Sequence, residues 1–231
     1  MTKPKPIGLD TAAAPKRILL VDDHPLMREG LRGTINRESD LMVCGEAENA
    51  RQAVEAFQSL APDMVLLDIT LPGRSGLELV KDLKAINSNV VILAISMHDE
   101  SLYAERILRA GASGYITKLQ PPEELIKAIR QVLDNGVYVS KDVSEILLRR
   151  FSGKPRPNQS AMEVLTDREL EVFQCIAKGK SPNEIALQLH IASKTVAVHC
   201  ANIRQKLNLQ STAQLIRFAA QSEEGQTPAD N

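Results

Sequence analysis

Short apolar runs alternate with segments of helical spacing between residues 17 and 136. The apolar runs predict five strands, at 17–22, 42–47, 64–68, 90–96 and 113–117. Helical spacing and capping residues predict helices at about 25–36, 50–60, 76–86, 100–110 and 121–134. Because buried parallel strands read as continuous apolar runs, the alternation predicts a five-stranded, doubly wound parallel sheet of the α/β class.

Residues 164–221 have a different pattern, with no strand-like run. Thr166-Asp-Arg-Glu169 is a capping box that opens a helix, and Gly179 ends that helix. Ser181 opens a second, short helix, and Ser193 is the expected N-cap of a third that runs to about residue 207. A fourth helix is expected at about 212–220. Two short helices that meet at a tight turn are typical of a small, four-helix helix-turn-helix domain.

The segments outside these two domains are rich in proline or in polar residues. We expect residues 1–16 to be a disordered leader and 222–231 to be a disordered tail. Residues 137–163 are expected to hold one more helix and an interdomain linker. The three cysteines form no CxxC pair, and neither a signal peptide nor a membrane-length apolar run is found. These features predict a cytoplasmic protein that does not enter the membrane.

Charge is unevenly distributed, although the formal net charge is only −1. Residues 153–218 carry nine Lys and Arg against five Asp and Glu, so the second domain is the more basic part. Such an excess is typical of a nucleic-acid module, although it is small here. The absence of Trp argues against a protein that stacks single-stranded bases.

Polar residues close four of the predicted strands, which in a parallel sheet brings them to one edge. Asp22 and Asp23 follow the first strand, Asp68 closes the third, Ser96 closes the fourth and Lys118 follows the fifth. Three crowded carboxylates repel one another unless a cation lies between them, and Mg²⁺ prefers such oxygen ligands. With Asp68 as nucleophile, attack on phosphorus would give an acyl phosphate, contacted by Lys118 and Ser96.

Three segments of this half carry a family resemblance: Val21-Asp-Asp-His-Pro-Leu-Met-Arg-Glu-Gly-Leu31, Leu67-Asp-Ile-Thr-Leu-Pro-Gly73 and Gly114-Tyr-Ile-Thr-Lys-Leu-Gln-Pro-Pro-Glu-Glu-Leu125. Residues 17–134 resemble the receiver domain of two-component response regulators, in the NarL/FixJ family. The resemblance implies a flavodoxin-like fold with strand order 2-1-3-4-5.

The same resemblance implies roles for individual residues. Asp68 would accept phosphate from a sensor histidine kinase. Mg²⁺ would be held by Asp22, Asp23, Asp68 and the backbone carbonyl of Thr70. Ser96 would be the switch hydroxyl, and Tyr115 the switch aromatic whose position follows it.

Residues 164–220 resemble the LuxR-type helix-turn-helix, through Leu165-Thr-Asp-Arg-Glu-Leu-Glu-Val172, Asn183-Glu-Ile-Ala186, Ser193-Lys-Thr-Val-Ala-Val-His199 and Asn202-Ile-Arg-Gln-Lys-Leu207. The resemblance implies a recognition helix that starts near Ser193 and binds double-stranded DNA. The residues expected to face DNA are Lys194, Thr195, Val198, His199 and Asn202, and those expected to meet phosphates are Lys194, Arg204 and Lys206. Relatives often carry Lys where this chain has Ala197 and a polar or basic residue where it has Ala201, so its site preference cannot be carried over.

The fourth helix leaves two alternatives open. Leu215, Ile216 and Phe218 either pair two DNA-binding domains, as in relatives, or simply close the core of this domain. Pairing would give a homodimer of the phosphorylated protein on a nearly symmetric DNA site.

Together these features predict a transcription regulator controlled by phosphorylation rather than a dedicated enzyme, in which the unphosphorylated receiver covers the recognition helix. The alternative is a phosphate sink or protein-binding output module with weak or no DNA binding, which Ala197 and Ala201 favour. An aspartyl-phosphate hydrolase is less favoured, because Thr70 stands where a second carboxylate would be expected.

Overall fold

The computed structural model describes residues 14–97, 100–141, 143–145, 148, 162 and 164–224. Its strands are β1 (Lys16–Val21), β2 (Leu41–Ala47), β3 (Met64–Asp68), β4 (Val91–Ser96) and β5 (Gly114–Thr117). All neighbouring strands pair in parallel, in the order β2-β1-β3-β4-β5. The predicted doubly wound sheet and its strand order are therefore confirmed.

Each strand is followed by a helix, and together these are α1 (Pro25–Ile35), α2 (Ala50–Leu60), α3 (Gly76–Ile86), α4 (Glu100–Arg109) and α5 (Pro122–Leu133). Four of these helices begin at the capping residues and prolines that the sequence predicts. Asn49 and Ser75 accept hydrogen bonds from backbone N–H groups at the starts of α2 and α3. Pro25 and Pro122 occupy first-turn positions, where a missing N–H removes no helical hydrogen bond.

The two faces of the sheet bury separate apolar clusters. Leu19 and Val21 of β1 point into one cluster, and Ile18 and Leu20 point into the other. Every residue of β3 is buried. Because both faces are covered by helices, no polar alternation survives in the central strands. The sheet is thus a rigid platform that fixes the positions of the residues at its carboxyl edge.

The C-terminal domain consists of α6 (Asp167–Ala177), α7 (Pro182–Gln188), α8 (Ser193–Lys206) and α9 (Thr212–Glu224). The capping boxes at Thr166 and Ser181 are both present. Gly179 has a left-handed φ of +72° just past the end of α6, as the predicted helix stop requires. The predicted helix-turn-helix domain is therefore confirmed.

Two predictions in this domain are wrong in detail. Ser193 is the first residue of α8 rather than its N-cap, and its hydroxyl hydrogen-bonds the side chain of Asn183 at 3.0 Å. The hydroxyl therefore joins two helices instead of capping one. In addition, α9 runs to Glu224, so residues 222–224 are helical and not part of a disordered tail.

The fourth helix of this domain has both a core face and an exposed face. Leu215 is fully buried, and the ring of Phe218 meets Phe173 edge to face with centroids 6.0 Å apart. Ile216 is 52% exposed. Leu215 and Phe218 therefore close the core, and Ile216 is left as the apolar residue at which two domains would pair.

The other boundary predictions concern residues that lie largely outside the described ones. These include residues 1–13 of the leader, 149–161 of the linker and 225–231 of the tail. Within the expected additional helix, residues 143–145 are helical. No helix in the described part of the chain is both long and apolar enough to cross a membrane.

Candidate functional site

The five residues expected at the carboxyl edge of the sheet all lie at that edge. The ammonium group of Lys118 lies 2.6 Å from an oxygen of Asp22 and 2.6 Å from an oxygen of Asp68. The backbone N–H of Thr70 donates to the other oxygen of Asp68 at 2.8 Å. Ser96, at the end of β4, is fully buried. The three charged side chains are almost completely buried, so their charges interact strongly.

Burial sets the electrostatics of Asp68. Loss of hydration raises its pKa to about 6, and although the Lys118 ammonium and the Thr70 N–H act against this, the charge of Asp22 reinforces it. Burial by itself would lower the pKa of Lys118, but the two carboxylates raise it. The site therefore holds a lysine that stays charged beside a carboxylate that is costly to ionise.

Asp22, Asp23, His24 and Asp68 each offer a ligand atom within 4.8 Å of the others. Among the described residues, Oδ2 of Asp22 and Oδ1 of Asp23 are buried without a well-directed hydrogen bond, although Lys118 and His24 lie close to them. Buried carboxylate oxygens in need of partners are the ligands that a hard divalent cation prefers. The donor set of this cluster therefore fits Mg²⁺.

Two residues of the site were missed by the sequence reasoning. Nδ1 of His24 lies 2.8 Å from Asp23 and 3.3 Å from Asp22. Arg28 is buried, donates to the backbone carbonyl of Asp22 at 2.6 Å and pairs with two glutamates at the edge of β2, Glu46 and Glu48. Arg28 thus fixes the loop that carries the aspartates. Its only sequence signal was its position one helical turn after His24.

Tyr115 is fully buried within one of the two apolar clusters. It lies on β5, beside β4, and its ladder partner is Ala94, two residues before Ser96. The ring therefore occupies the inward position in this structure.

The exposed side of α8 carries most of the residues expected to face DNA. Lys194, Thr195, Val198 and Asn202 are exposed, and Ala197 and Ala201 are exposed among them. The remaining candidates differ. His199 is half-buried, which lowers its pKa, and Arg204 is also partly buried.

Lys206 has a partner within its own domain. Its ammonium group lies 2.6 Å from Glu169. Although burial acts in the opposite direction, the hydrogen bonds from Lys206 and Thr166 lower the pKa of Glu169. Lys206 thus ties α8 to the capping box of α6, which makes it a weaker candidate for phosphate contact than Lys194.

The C-terminal domain contacts the receiver through α6. Ser75 donates to the buried Glu171 at 3.1 Å, and Asp167 lies 3.4 Å from Lys81 and 3.1 Å from Arg106. Arg106 also donates to the backbone carbonyls of residues 162 and 165, at 2.7 and 2.9 Å.

A second contact between the domains joins the turn before α8 to the acidic edge. Nε2 of His190, in the turn between α7 and α8, lies 3.0 Å from Oδ2 of Asp23. The expectation that the receiver covers the recognition helix is therefore wrong for its exposed residues. The receiver abuts the preceding turn instead.

Two family models match the two halves of the chain. A model described as the response regulator receiver domain matches residues 18–130. One described as bacterial regulatory proteins of the luxR family matches residues 163–219. Fold, site and both matches define a response regulator, a class of phosphorylation-controlled regulators rather than dedicated enzymes.

Among curated relatives, the nitrate/nitrite response regulator protein NarL of Escherichia coli (strain K12) is 35% identical over 199 residues, which cover 85% of this chain and 91% of the relative. Response regulator UvrY of the same organism is 33% identical over 203 residues, covering 87% of this chain and 92% of the relative. The chain belongs to the NarL/FixJ family and is a phosphorylation-controlled transcription regulator.

Solved structures agree with the fold. A LuxR-family two-component response regulator from Aurantimonas sp. SI85-9A1 is 37% identical with a TM-score of 0.57, covering 60% of this chain and 99% of that one. RcsB of Salmonella enterica serovar Typhimurium, bound to promoter rprA in the presence of phosphomimetic BeF3-, has a TM-score of 0.61 at 22% identity. The match covers 89% of this chain and 98% of that one, and it supports the fold alone.

Proposed function

We propose that Asp68 is the phosphoacceptor and that its phosphoryl donor is a sensor histidine kinase. The observation that carries the proposal is the buried Asp68 carboxylate at the end of β3, with the Lys118 ammonium 2.6 Å away. In the transfer, the N–P bond of a phosphohistidine breaks as an O–P bond to Asp68 forms. Lys118 is close enough to follow the new phosphoryl oxygens and to balance their charge.

We also propose that the phosphoacceptor site binds a divalent cation. Asp22, Asp23, Asp68 and the backbone carbonyl of Thr70 would hold Mg²⁺, and the cluster of acidic oxygens supports that assignment. When bound, Mg²⁺ supplies positive charge that neutralises both the carboxylates and the transferring phosphoryl group. The same site would allow slow self-catalysed hydrolysis of the acyl phosphate, without making the protein a dedicated enzyme.

Ser96 and Tyr115 are proposed to transmit the phosphorylation state. Ser96 stands at the end of β4 and would hydrogen-bond a phosphoryl oxygen, and Tyr115 lies on the adjacent strand. A small shift at one end of a packed sheet is amplified when a buried ring has two discrete positions. The surface formed by α4 and α5 would change as a result.

We propose that the output is binding of double-stranded DNA by a homodimer. The protein would act in the cytoplasm, where it can reach both the kinase domain and DNA. The exposed face of α8 supports a recognition role, and Ile216 supports pairing through α9. Residues that contact base edges specify the sequence, whereas cations on phosphates set the register.

The two lysines of α8 are expected to differ in their contribution to DNA affinity. Lys194 is exposed, so Lys194→Ala should reduce the slope of log affinity against log salt by about 1. Lys206→Ala should leave that slope nearly unchanged, because its ammonium group is paired with Glu169. Fluorescence anisotropy with one duplex over a series of salt concentrations measures both. Equal slope changes would show that Lys206 leaves Glu169 to contact DNA.

Selection of bound genomic DNA fragments tests the proposed function. The full chain is used bare and with Mg²⁺ plus beryllofluoride, a stable phosphoryl mimic, and the Asp68→Asn variant is the control. We expect enrichment of shared, nearly symmetric sites only in the wild type with the mimic. That result would support Asp68 as the phosphoacceptor, DNA binding by the C-terminal domain, and control of DNA binding by phosphorylation. Enrichment of the same sites with and without the mimic would show that phosphorylation of Asp68 does not control DNA binding.

The exposed Ala197 and Ala201 favour one other function. Relatives often place Lys at the first of these positions and a polar or basic residue at the second, so the output could be a protein contact or storage of phosphate instead of DNA binding. No enrichment in either state of the selection experiment would favour this alternative.

A further inference from the structure

We propose that His190 of the DNA-binding domain competes with the divalent cation for Asp23, so that cation binding alone loosens the contact between the two domains. The inference rests on the proposed metal site. It adds that the recognition helix is restrained through a ligand of that site and is partly released before any phosphoryl group arrives.

The competition follows from the surroundings of one carboxylate. Nε2 of His190 lies 3.0 Å from Oδ2 of Asp23, and Nδ1 of His24 lies 2.8 Å from Oδ1. Only 9% of the Asp23 side chain is exposed. Both oxygens already have an imidazole as neighbour, and little of this carboxylate is open to solvent. A cation that binds to it therefore competes with these two contacts for the same few lone pairs. His24 follows Asp23 directly in the chain, whereas His190 reaches it only when the domains are docked.

The backbone conformation of His190 places this contact in the tight turn before the recognition helix. His190 has a φ of +52°, in the left-handed region that glycine and asparagine adopt most easily. It stands three residues before Ser193, at the start of the recognition helix. The side chain that reaches the acidic edge is therefore carried by the turn that orients α8, so loss of the contact frees the end of the helix that would enter the DNA groove first.

The contact at His190 is one of several between the domains, which also share an apolar cluster. Asp167 pairs with Lys81 and Arg106 in partly exposed ion pairs, which contribute little individually. The hydrogen bond between Ser75 and Glu171, by contrast, is buried. Linkage requires that the cation weaken the domain contact by the same factor as the contact weakens cation binding.

The first test measures cation affinity in the full-length protein. Mn²⁺ is the probe, because free Mn²⁺ can be counted by electron paramagnetic resonance, and Mg²⁺ is then added as competitor. His190→Gly suits the left-handed backbone and should bind both ions about two- to fivefold more tightly than wild type. Asn208→Gly is the matched control, since Asn208 also has a left-handed φ, of +54°, at the far end of α8. It should bind as wild type does.

A second variant separates domain coupling from local charge. Asp167→Asn removes a negative charge and a domain contact at α6. Simple electrostatics would make cation binding weaker in this variant, whereas release of the domains would make it tighter. We expect tighter binding. Unchanged affinity in His190→Gly, or weaker binding in Asp167→Asn, would overturn the inference.

Hydrogen exchange supplies a readout that does not depend on phosphorylation. Mg²⁺ alone should speed exchange in wild-type peptides that cover residues 75–81 and 167–171, and His190→Gly should exchange faster there before Mg²⁺ is added. Exchange that does not respond to Mg²⁺ in a protein that binds it would overturn the inference and leave the proposed metal site intact. Absence of Mn²⁺ and Mg²⁺ binding in every variant would overturn the metal site itself.

Discussion

Asp68→Asn is expected to lower the rate of phosphoryl uptake by at least about a thousandfold, because an amide oxygen is a poor nucleophile and the reaction then has no acceptor. Asn has nearly the volume of Asp and can still accept the hydrogen bond from the Thr70 N–H. The loss should therefore come from chemistry rather than from misfolding. Transfer of labelled phosphate from a phosphorylated sensor kinase measures it, with the circular dichroism spectrum as a check on folding.

The same strand offers a matched control. Asp63 comes just before β3, at the opposite edge of the sheet, where its carboxylate accepts from the backbone N–H of Arg17 at 2.8 Å. Asp63→Asn should take up phosphate at nearly the wild-type rate. If Asp68→Asn kept a rate within tenfold of wild type, the acceptor would have to be another residue, with Asp22 and Asp23 the first to test.

The position of the acidic site could be predicted because topology determines it. In a parallel sheet the carboxyl ends of the strands meet at one edge, so residues that close apolar runs meet as well. Asp22, Asp68, Ser96 and Lys118 follow this rule, and the structure has them together. The rule needs only the strand boundaries, which agree with the structure to within one residue.

Contacts between distant segments could not be predicted in this way. Ser75 reads as a helix cap and Glu171 as a polar residue on a helix, yet they bond across 96 positions of sequence. Ser193 also reads as a cap, but its hydroxyl bonds to Asn183 on the preceding helix. Tertiary packing replaces the local role at Ser193, whereas Ser75 both caps α3 and bonds to Glu171. His190 and Lys206 belong to the same class, since nothing nearby in sequence indicates their partners.

Lys118→Met should be the most destabilising single change at this edge of the sheet, at about 3 kcal/mol at neutral pH without metal. The Lys118 side chain is 2% exposed and is shared by Asp22 and Asp68, so its loss leaves two buried carboxylates without a counter-charge. For a domain of this size the melting temperature should fall by about 10 °C. Urea unfolding in metal-free buffer measures the free energy, and Lys127→Met is the control because Lys127 is exposed and pairs with the partly exposed Glu124.

The effect of Lys118→Met should depend on pH. The pKa of Asp68 is already raised to about 6, and removal of Lys118 takes away a contribution that lowers it. A raised pKa in the folded state means that ionised Asp68 opposes folding, so the destabilisation is present above pH 6. It should shrink as the pH falls towards 4, where the folded protein holds Asp68 neutral. An equal loss at pH 7.5 and 4.5 would instead assign the loss to packing of the Lys118 stem. In that case Lys118→Met combined with Asp68→Asn would recover no stability.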